Sequence, residues 1–227
     1  MTSQTSKDTA VFIDGFNVYH FIDKNDRSLL WLDYMRLSQL LAPVDNIVSV
    51  NYFSALAFWN SNKVLRHSAY IQALEASGVS VNMGTFADKE KIGLIRDPEG
   101  MRRVTFFKDT FQATRQQFFT HEEKQVDVAI GVKMYKTACQ GDVQKIILIS
   151  NDTDFVPVLK EIDGDFPKIR LKVYAPVDVS YSLPSNVGEI VSQKHHKHLR
   201  LSQIKESQLP DPVVLPDGTT ISKPSTW

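Results

Sequence analysis

The fold is decided by the stretch Ala10-Val11-Phe12-Ile13-Asp14-Gly15, an apolar run that ends in an acidic residue and a glycine. A short apolar run followed by a polar loop is typical of a buried parallel strand. A second run of this kind, at 146–149, leads into Ser150-Asn151-Asp152-Thr153-Asp154. The carboxyl ends of parallel strands meet at one crevice in an open α/β sheet, and ligands bind there. We therefore expect the acids of both stretches to lie at the same edge of one sheet.

Most of the chain alternates between strand-like and helix-like patterns. Strands are predicted from β-branched and aromatic runs, and helices from apolar residues at helical spacing. We assign strands to 10–13, 47–58, 79–86, 145–150 and 168–175, and helices to 17–22, 33–41, 62–77, 124–139 and 153–162. This alternation predicts an α/β fold with a mainly parallel sheet and helices on both faces.

Two segments depart from the alternation. Strand-like arms at 91–96 and 101–107 flank the turn signal Asp97-Pro98-Glu99-Gly100, which predicts an inserted β-hairpin at about 91–107. Residues 201–227 contain several prolines and little periodicity, which predicts a C-terminal tail that is draped on the domain or partly disordered. The expected organisation is a flexible N-terminus at 1–9, one domain at 10–200 and the tail at 201–227.

The composition limits the classes of function. A chain of 227 residues with 42% hydrophobic and 23% charged residues suits one substantial globular domain. The 26 basic and 26 acidic residues give no net charge, so contact with a nucleic acid must come from a local patch.

The sequence also suggests a cellular compartment. The single cysteine permits no disulfide within the chain, and the polar N-terminus lacks the apolar core of a secretory signal. No run approaches about 18 apolar residues, so we expect no membrane span. These features predict a cytoplasmic protein.

Each acidic residue also has a purely structural explanation. Asp14 can serve a turn, Asp127 can favour the dipole of the helix that it opens, and Asp152 can cap the next helix. Together, however, they stand at separate strand ends and a helix start, from which they would converge on one crevice. Clustered carboxylates repel one another unless a cation neutralises them, and Mg²⁺ or Mn²⁺ suits a site of oxygen ligands.

Three blocks of sequence resemble the signature blocks of the NYN domain family, which belongs to the PIN-like nuclease superfamily and includes the LabA-like proteins. The blocks are Val11-Phe12-Ile13-Asp14-Gly15-Phe16-Asn17, Glu123-Lys124-Gln125-Val126-Asp127-Val128 and Ile149-Ser150-Asn151-Asp152-Thr153-Asp154-Phe155-Val156-Pro157. The resemblance spans residues 10–175. It implies a Rossmann-like, PIN-type sheet, an acidic site for a divalent metal and ribonuclease activity.

The resemblance also implies roles for individual residues. Asp14, Asp127, Asp152 and Asp154 match the acids of the family's catalytic metal site. Asn17 matches the asparagine of its first block, where it would hold a phosphate oxygen or a water, or cap a helix. The family often has a glycine where this chain has Asn151. We expect Ser150 and Asn151 to position the late acids by side-chain hydrogen bonds, next to the bound RNA.

Basic residues elsewhere are candidates for RNA contact. Arg102 and Arg103 lie in the predicted hairpin among several phenylalanines, an arrangement that suits single-stranded RNA, although the phenylalanines can equally pack on the domain. Arg66 stands on the helix after the second strand. Lys124 either faces a phosphate or balances Glu122 and Glu123.

We therefore predict a metal-dependent (endo)ribonuclease that hydrolyses RNA phosphodiester bonds with Mg²⁺ or Mn²⁺, in RNA processing or decay. The alternative is a non-catalytic regulatory or adaptor protein that binds RNA or a nucleotide on the same fold. The full set of acids favours the enzyme, because an adaptor has no need of uncompensated carboxylates. The expected partner is single-stranded RNA rather than a membrane, and the protein is a possible homo-oligomer.

Overall fold

The computed structural model describes residues 7–94, 115–191 and 195–227. The strands are β1 (Asp8–Asp14), β2 (Asn46–Ser54), β3 (Ser80–Met83), β4 (Thr85–Leu94), β5 (Arg115–Lys124), β6 (Lys145–Ile149), β7 (Arg170–Ala175), β8 (His196–His198), β9 (Val213–Val214) and β10 (Thr220–Ile221). The α-helices are α1 (Gly15–Asn25), α2 (Tyr34–Leu41), α3 (Ser61–Ala76), α4 (Val126–Gln140), α5 (Val156–Asp165), α6 (Ser185–Ile190) and α7 (Leu201–Glu206).

The described part of the chain contains a six-stranded parallel sheet in the order β3-β2-β1-β6-β7-β8. β1 lies between β2 and β6, with Asp14 opposite Phe53 and Ile13 opposite Ile149. Because the strands are parallel, the loops that follow β1 and β6 emerge side by side. The predicted α/β class and mainly parallel sheet are confirmed.

Alternating side chains of the central strands pack into two hydrophobic cores, one on each face of the sheet. Val11 and Ile13 pack on one face against residues of α1, α2 and α3, while Ala10 and Phe12 pack on the other face with α4 and α5. Both sets of β1 side chains are fully buried. This burial on both faces explains why β1 is an unbroken apolar run rather than an alternating one.

Local signals set several helix ends. Asp33 caps α2, because its Oδ1 accepts a hydrogen bond from the backbone N–H of Arg36 at 3.0 Å. α3 and α4 are followed by Gly78 and Gly141, whose φ angles of 88° and 76° suit glycine. In the described chain, none of the helices is long and apolar enough to cross a membrane.

The predicted third strand, 79–86, is two strands. β3 belongs to the main sheet, and β4 starts a separate antiparallel ribbon with β5. The break falls at Gly84, whose N–H donates to the Ser54 carbonyl at 2.8 Å. A β-carbon at Gly84 would stand 2.5 Å from Val126 Cγ2 and 2.8 Å from the Lys124 carbonyl oxygen. The chain therefore turns out of the sheet where only a glycine fits.

The predicted pairing of the inserted hairpin is wrong. Its first arm, at 91–96, was expected to pair with 101–107, but Lys91 pairs with Phe118 and Leu94 with Arg115. The physical reason is that β4 continues an antiparallel ribbon that begins at Thr85, so its register is set by β5. The turn at 97–100, Arg102 and Arg103 lie outside the described residues.

The chain after residue 195 packs on the domain. β8 forms the edge of the sheet beside β7, although its three residues carry no strand pattern. The Trp31 indole N–H donates to the Pro210 carbonyl, and the Leu209 N–H donates to the Trp31 carbonyl, each at 2.9 Å. The Trp227 ring lies 6.2 Å from that of Trp31, and Leu209 is buried. These contacts cover one end of the core that contains Trp31.

Candidate functional site

Asp14 ends β1 and is held in place by two hydrogen bonds. Its Oδ1 accepts from the backbone N–H of Asn17 at 3.0 Å, and its Oδ2 accepts from the Ser150 hydroxyl at 2.8 Å. Asp14 is only 4% exposed. Burial, reinforced by the nearby charges of Asp127 and Asp152, raises the pKa of Asp14 to about 6 against the effect of these hydrogen bonds.

The loops after β1 and β6 are tied together by hydrogen bonds. The Asn151 N–H donates to Asn17 Oδ1 at 3.1 Å, and the Asp152 N–H donates to Ser150 Oγ at 3.0 Å. The Asp154 N–H donates to Asp152 Oδ1 at 2.9 Å, so that Asp152 caps the short turn at Thr153–Phe155. Ser150 therefore links Asp14 to the loop that carries Asp152 and Asp154. Asn151 joins the two loops through its backbone N–H and not, as predicted, through its side chain.

Asp127 joins this group from the first turn of α4. The chain enters α4 through Gln125, which has a φ of 73°. Burial raises the pKa of Asp127, and the charges of Asp152 and Asp154 add to that effect. The predicted acids thus come from a strand end, a helix start and a second loop, and Asp127 interacts electrostatically with acids of both other segments.

Glu123 is a further acid of this cluster, and the sequence interpretation missed it. Burial raises its pKa to about 7, with contributions from Asp14 and Asp127. Its Oε1 atom is buried without a hydrogen-bond partner among the described residues. The alternation of side chains along β5 could have revealed Glu123. Glu122 and Lys124 point to one side of the strand and form an ion pair at 2.9 Å, so Glu123 points to the other side.

The donor chemistry of this acidic cluster suits a hard divalent cation. The pKa values of Asp14, Glu123 and Asp127 are raised because the three carboxyl groups are wholly or partly shielded from water near like charges, and a cation relieves that repulsion. The described residues nevertheless include no group of three His, Cys, Asp or Glu side chains already placed to hold a metal ion. The cluster suits a cation because of its negative charge and because Glu123 Oε1 has no hydrogen-bond partner among the described residues, and not because its ligands are already arranged around an ion.

The basic candidates are distributed differently. Lys124 pairs with Glu122, which accounts for its charge without a phosphate. Arg66, on α3, lines a cavity next to the acidic cluster. Arg102 and Arg103 belong to the part of the chain that the structure does not describe.

That cavity, which we call the aromatic cavity, has a volume of about 300 Å³ and was not predicted. Its lining combines rings and cations, and includes Phe16, Tyr19, Tyr34, Tyr52, Trp59, Lys63, Arg66, His67, Tyr70, Phe86, His121 and Trp227. These residues are scattered along the chain, so no contiguous sequence motif predicts the cavity.

Gly15 brings the aromatic cavity against the acidic cluster. It follows Asp14 directly and lines the cavity. A β-carbon at this position would stand 2.4 Å from Tyr52 Cε2 and 2.6 Å from the Phe53 carbonyl oxygen. The turn after β1 can therefore lie on Tyr52 only because residue 15 has no side chain.

Comparison with known proteins agrees with the fold and the sequence blocks. A protein of unknown function, VPA0982, from Vibrio parahaemolyticus RIMD 2210633 has a similar structure, with a TM-score of 0.52 at 19% identity over 88% of this chain and 97% of that one. The 6-hydroxy-3-succinoylpyridine 3-monooxygenase HspA of Pseudomonas putida (strain DSM 28022 / S16) is 25% identical, over 96% of this chain and 75% of that protein. The sequence model of the NYN domain matches residues 8–187. The chain therefore belongs to the NYN domain family.

Proposed function

We propose that this protein is a ribonuclease that hydrolyses RNA phosphodiester bonds at the acidic cluster with the help of Mg²⁺ or Mn²⁺. The observation that supports the proposal is the cluster itself, in which five carboxylates from four segments are electrostatically coupled beside the carboxyl end of β1. Membership of the NYN domain family, whose fold is that of PIN-like nucleases, supports the same reaction class.

The residues that would hold the metal ion are Asp14, Glu123, Asp127, Asp152 and Asp154. When bound, the ion supplies Lewis-acid polarisation of the phosphate and lowers the pKa of an attacking water. The carboxylates must be ionised to bind it, so the raised pKa values of Asp14 and Glu123 make metal binding compete with protons.

Asn17 and Ser150 position this cluster. Asn17 Oδ1 is occupied by the Asn151 N–H, so its amide NH₂ group remains to donate to a phosphate oxygen. Ser150 fixes Asp14 through its hydroxyl hydrogen and Asp152 through its hydroxyl oxygen. On this proposal, Arg66 offers the RNA backbone a positive charge at the side of the aromatic cavity.

The test is cleavage of labelled single-stranded and structured RNAs with Mg²⁺, with Mn²⁺ or with EDTA. We expect cleavage only with metal, and a loss of at least about 100-fold in Asp152→Asn, because removing a ligand charge weakens metal binding. Asp163→Asn, an exposed acid on α5, is the matched control and should cleave normally. Wild-type rates in Asp152→Asn would rule out its role.

A second readout separates metal binding from activity. Mg²⁺ or Mn²⁺ should raise the melting temperature of the wild-type protein, and Asp152→Asn should lose most of that rise. RNA binding without cleavage under every metal condition would support the adaptor alternative instead.

The name of the Pseudomonas relative supports a second candidate function, the oxygenation of a small pyridine derivative. The observation that favours it is the aromatic cavity, which has room for one such ring. A monooxygenase places one oxygen atom of O₂ in its product and reduces the other to water, so a reduced cofactor must supply the electrons. The test is O₂ uptake with 6-hydroxy-3-succinoylpyridine, NADH and a flavin, and uptake no faster than in a protein-free control contradicts it.

A further inference from the structure

We propose that the aromatic cavity is a binding site for a planar aromatic ring that carries an anionic group. The inference concerns recognition and does not depend on which reaction the acidic cluster performs. It rests on the cavity's size, on the geometry of its rings and on the sign of its charges.

The cavity is the right size for one ring and a short substituent. Its volume is about 300 Å³. An apolar cavity of about 150 Å³ is enough for benzene, and small-molecule sites start at about 300 Å³. A ring therefore leaves space for a further group of a few atoms.

Two groups of rings line the cavity. In the first, Trp59 stacks on His121 with ring centroids 3.7 Å apart and meets Phe86 edge-on at 4.8 Å. In the second, the centroids of Tyr34 and Tyr52 lie 5.2 Å apart. Flat surfaces at such angles favour a planar aromatic guest, which can stack on one ring and meet another edge-on.

The charges of the cavity favour an anion. Lys63 and Arg66 both line it, and within the described segments neither has a carboxylate at ion-pair distance. Arg27 is paired with Asp23 at 2.6 Å and is therefore already compensated. The described lining itself contains no Asp or Glu, although the charges of Asp14 and Glu123 reach Tyr52 and Asp88 pairs with His121 at 2.7 Å. Two uncompensated cations beside an apolar space are suited to a carboxylate or a phosphate.

Two polar side chains of the lining, His67 and Tyr52, are neutral near pH 7. Burial lowers the pKa of His67 to about 4 and raises the pKa of Tyr52 well above its usual range. Their Nε2 and hydroxyl atoms lie 3.4 Å apart. These groups offer hydrogen bonds to ring nitrogen or hydroxyl atoms, while the charge of the guest is left to Lys63 and Arg66.

Two sources supply this chemistry: a nucleotide and a small heteroaromatic acid. The experiment is isothermal titration calorimetry in EDTA with two matched pairs of probes, uridine monophosphate against uridine and nicotinate against nicotinamide. At least one anionic probe should bind, and at least about tenfold more tightly than its neutral counterpart. The pair that binds identifies the source. Equal affinity within both pairs, or no binding by any probe at about 5 mM, overturns the proposal.

Variants test which residues bind the anionic group and which bind the ring. Arg66→Gln should weaken the anionic probe about tenfold and leave the neutral one unchanged, whereas Trp59→Ala should weaken both. Arg36→Gln and Tyr181→Ala change an exposed cation and an exposed ring outside the cavity, and should bind as wild type does. Asp152→Asn should also retain binding, which separates this inference from the proposed nuclease. Binding lost equally in Arg66→Gln and Arg36→Gln would contradict the assigned site.

Discussion

Glu123 has a carboxylate that is both short of hydrogen-bond donors and repelled by neighbouring charges. Its Oε1 is buried without a hydrogen bond among the described residues, close enough to Asp14 and Asp127 for their charges to raise its pKa. A buried, repelled carboxylate destabilises the metal-free protein. The same carboxylate stabilises the metal-bound protein if it becomes a ligand.

Glu123→Gln separates these two effects, because glutamine keeps the shape and removes the charge. We expect the melting temperature of the metal-free protein to rise by about 2–4 °C, which corresponds to roughly 1 kcal/mol for a chain of this size. The rise produced by Mn²⁺ should shrink. Glu75→Gln, an exposed acid on α3, is the matched control and should change neither quantity. A lower metal-free melting temperature in Glu123→Gln would show that its charge is compensated.

His67 gives the protein a pH dependence of known sign. Burial lowers its pKa from 6.5 to about 4, so between these pH values the unfolded chain binds a proton that the folded chain does not. The contribution of His67 to stability is therefore full above pH 6.5 and is lost as the pH falls towards 4, by up to about 3 kcal/mol, while the raised pKa values of Asp14 and Glu123 act in the opposite direction over part of that range.

Urea unfolding at pH 7 and at pH 4.5 measures this contribution. His67→Gln should lose less stability between these values than the wild type, and His20→Gln, which removes an exposed histidine on α1, is the comparison variant. Parallel behaviour of His67→Gln and the wild type would mean that the imidazole is protonated in the folded state.

The residues of the acidic cluster were predictable to different degrees. Asp14, Asp152 and Asp154 follow apolar strands, and the topology of a parallel sheet then brings them together. Glu123 lies on the separate ribbon, whose position relative to the sheet has no signature in the sequence. The rings of the aromatic cavity come from segments as distant as Phe16 and Trp227, and only the folded chain shows that they meet.

At the scale of elements, Gly84 decides where the sheet ends and the ribbon begins. The pattern of 79–86 is continuous in the sequence, and for this reason it predicted one strand. The division depends on close contact with Val126 and with the Lys124 carbonyl, and both lie more than 30 residues further along the chain. A local pattern cannot reveal a break that a distant segment imposes.

Gly84→Ala should destabilise the protein by about 1–3 kcal/mol, because the added methyl group meets backbone as well as a side chain. Gly164→Ala is the matched control, since nothing lies within 4 Å of a β-carbon at that position of α5. It should be neutral or stabilising by up to about 1 kcal/mol, as alanine favours a helix. Chemical denaturation of both variants tests the pair. Equal stability of Gly84→Ala and the wild type would show that the ribbon moves to accept a side chain.

At the scale of the whole molecule, the C-terminal segment completes the core. The Ser207 carbonyl accepts from the Asp33 N–H at 2.7 Å, and Val213 is buried with Leu209 in the core that contains Trp31. Sequence periodicity did not predict that this segment is ordered, because the segment is rich in proline and forms only short elements. It is held to Trp31 by individual hydrogen bonds and by side-chain packing.

Truncation after Lys205 should keep metal-dependent cleavage but expose Trp31 and its neighbours, so that the protein aggregates. Light scattering and an RNA-cleavage assay on the same sample measure both effects. Trp227→Ala, which keeps the segment and removes one ring, should cost only about 1–2 kcal/mol and remain monodisperse. A truncated protein that stays soluble and folded but cleaves nothing would place the segment in the reaction.

The central position of β1, between β2 and β6, has a consequence during protein synthesis. Asp14 is synthesised before its partners Ser150 and Asp152, which follow more than 130 residues later. Until β6 and the loop after it have been made, Asp14 lacks the hydrogen bond from Ser150 and the nearby charge of Asp152. On the proposed function, the growing chain therefore has no complete site for hydrolysing its own messenger RNA until β6 and the loop after it have been made.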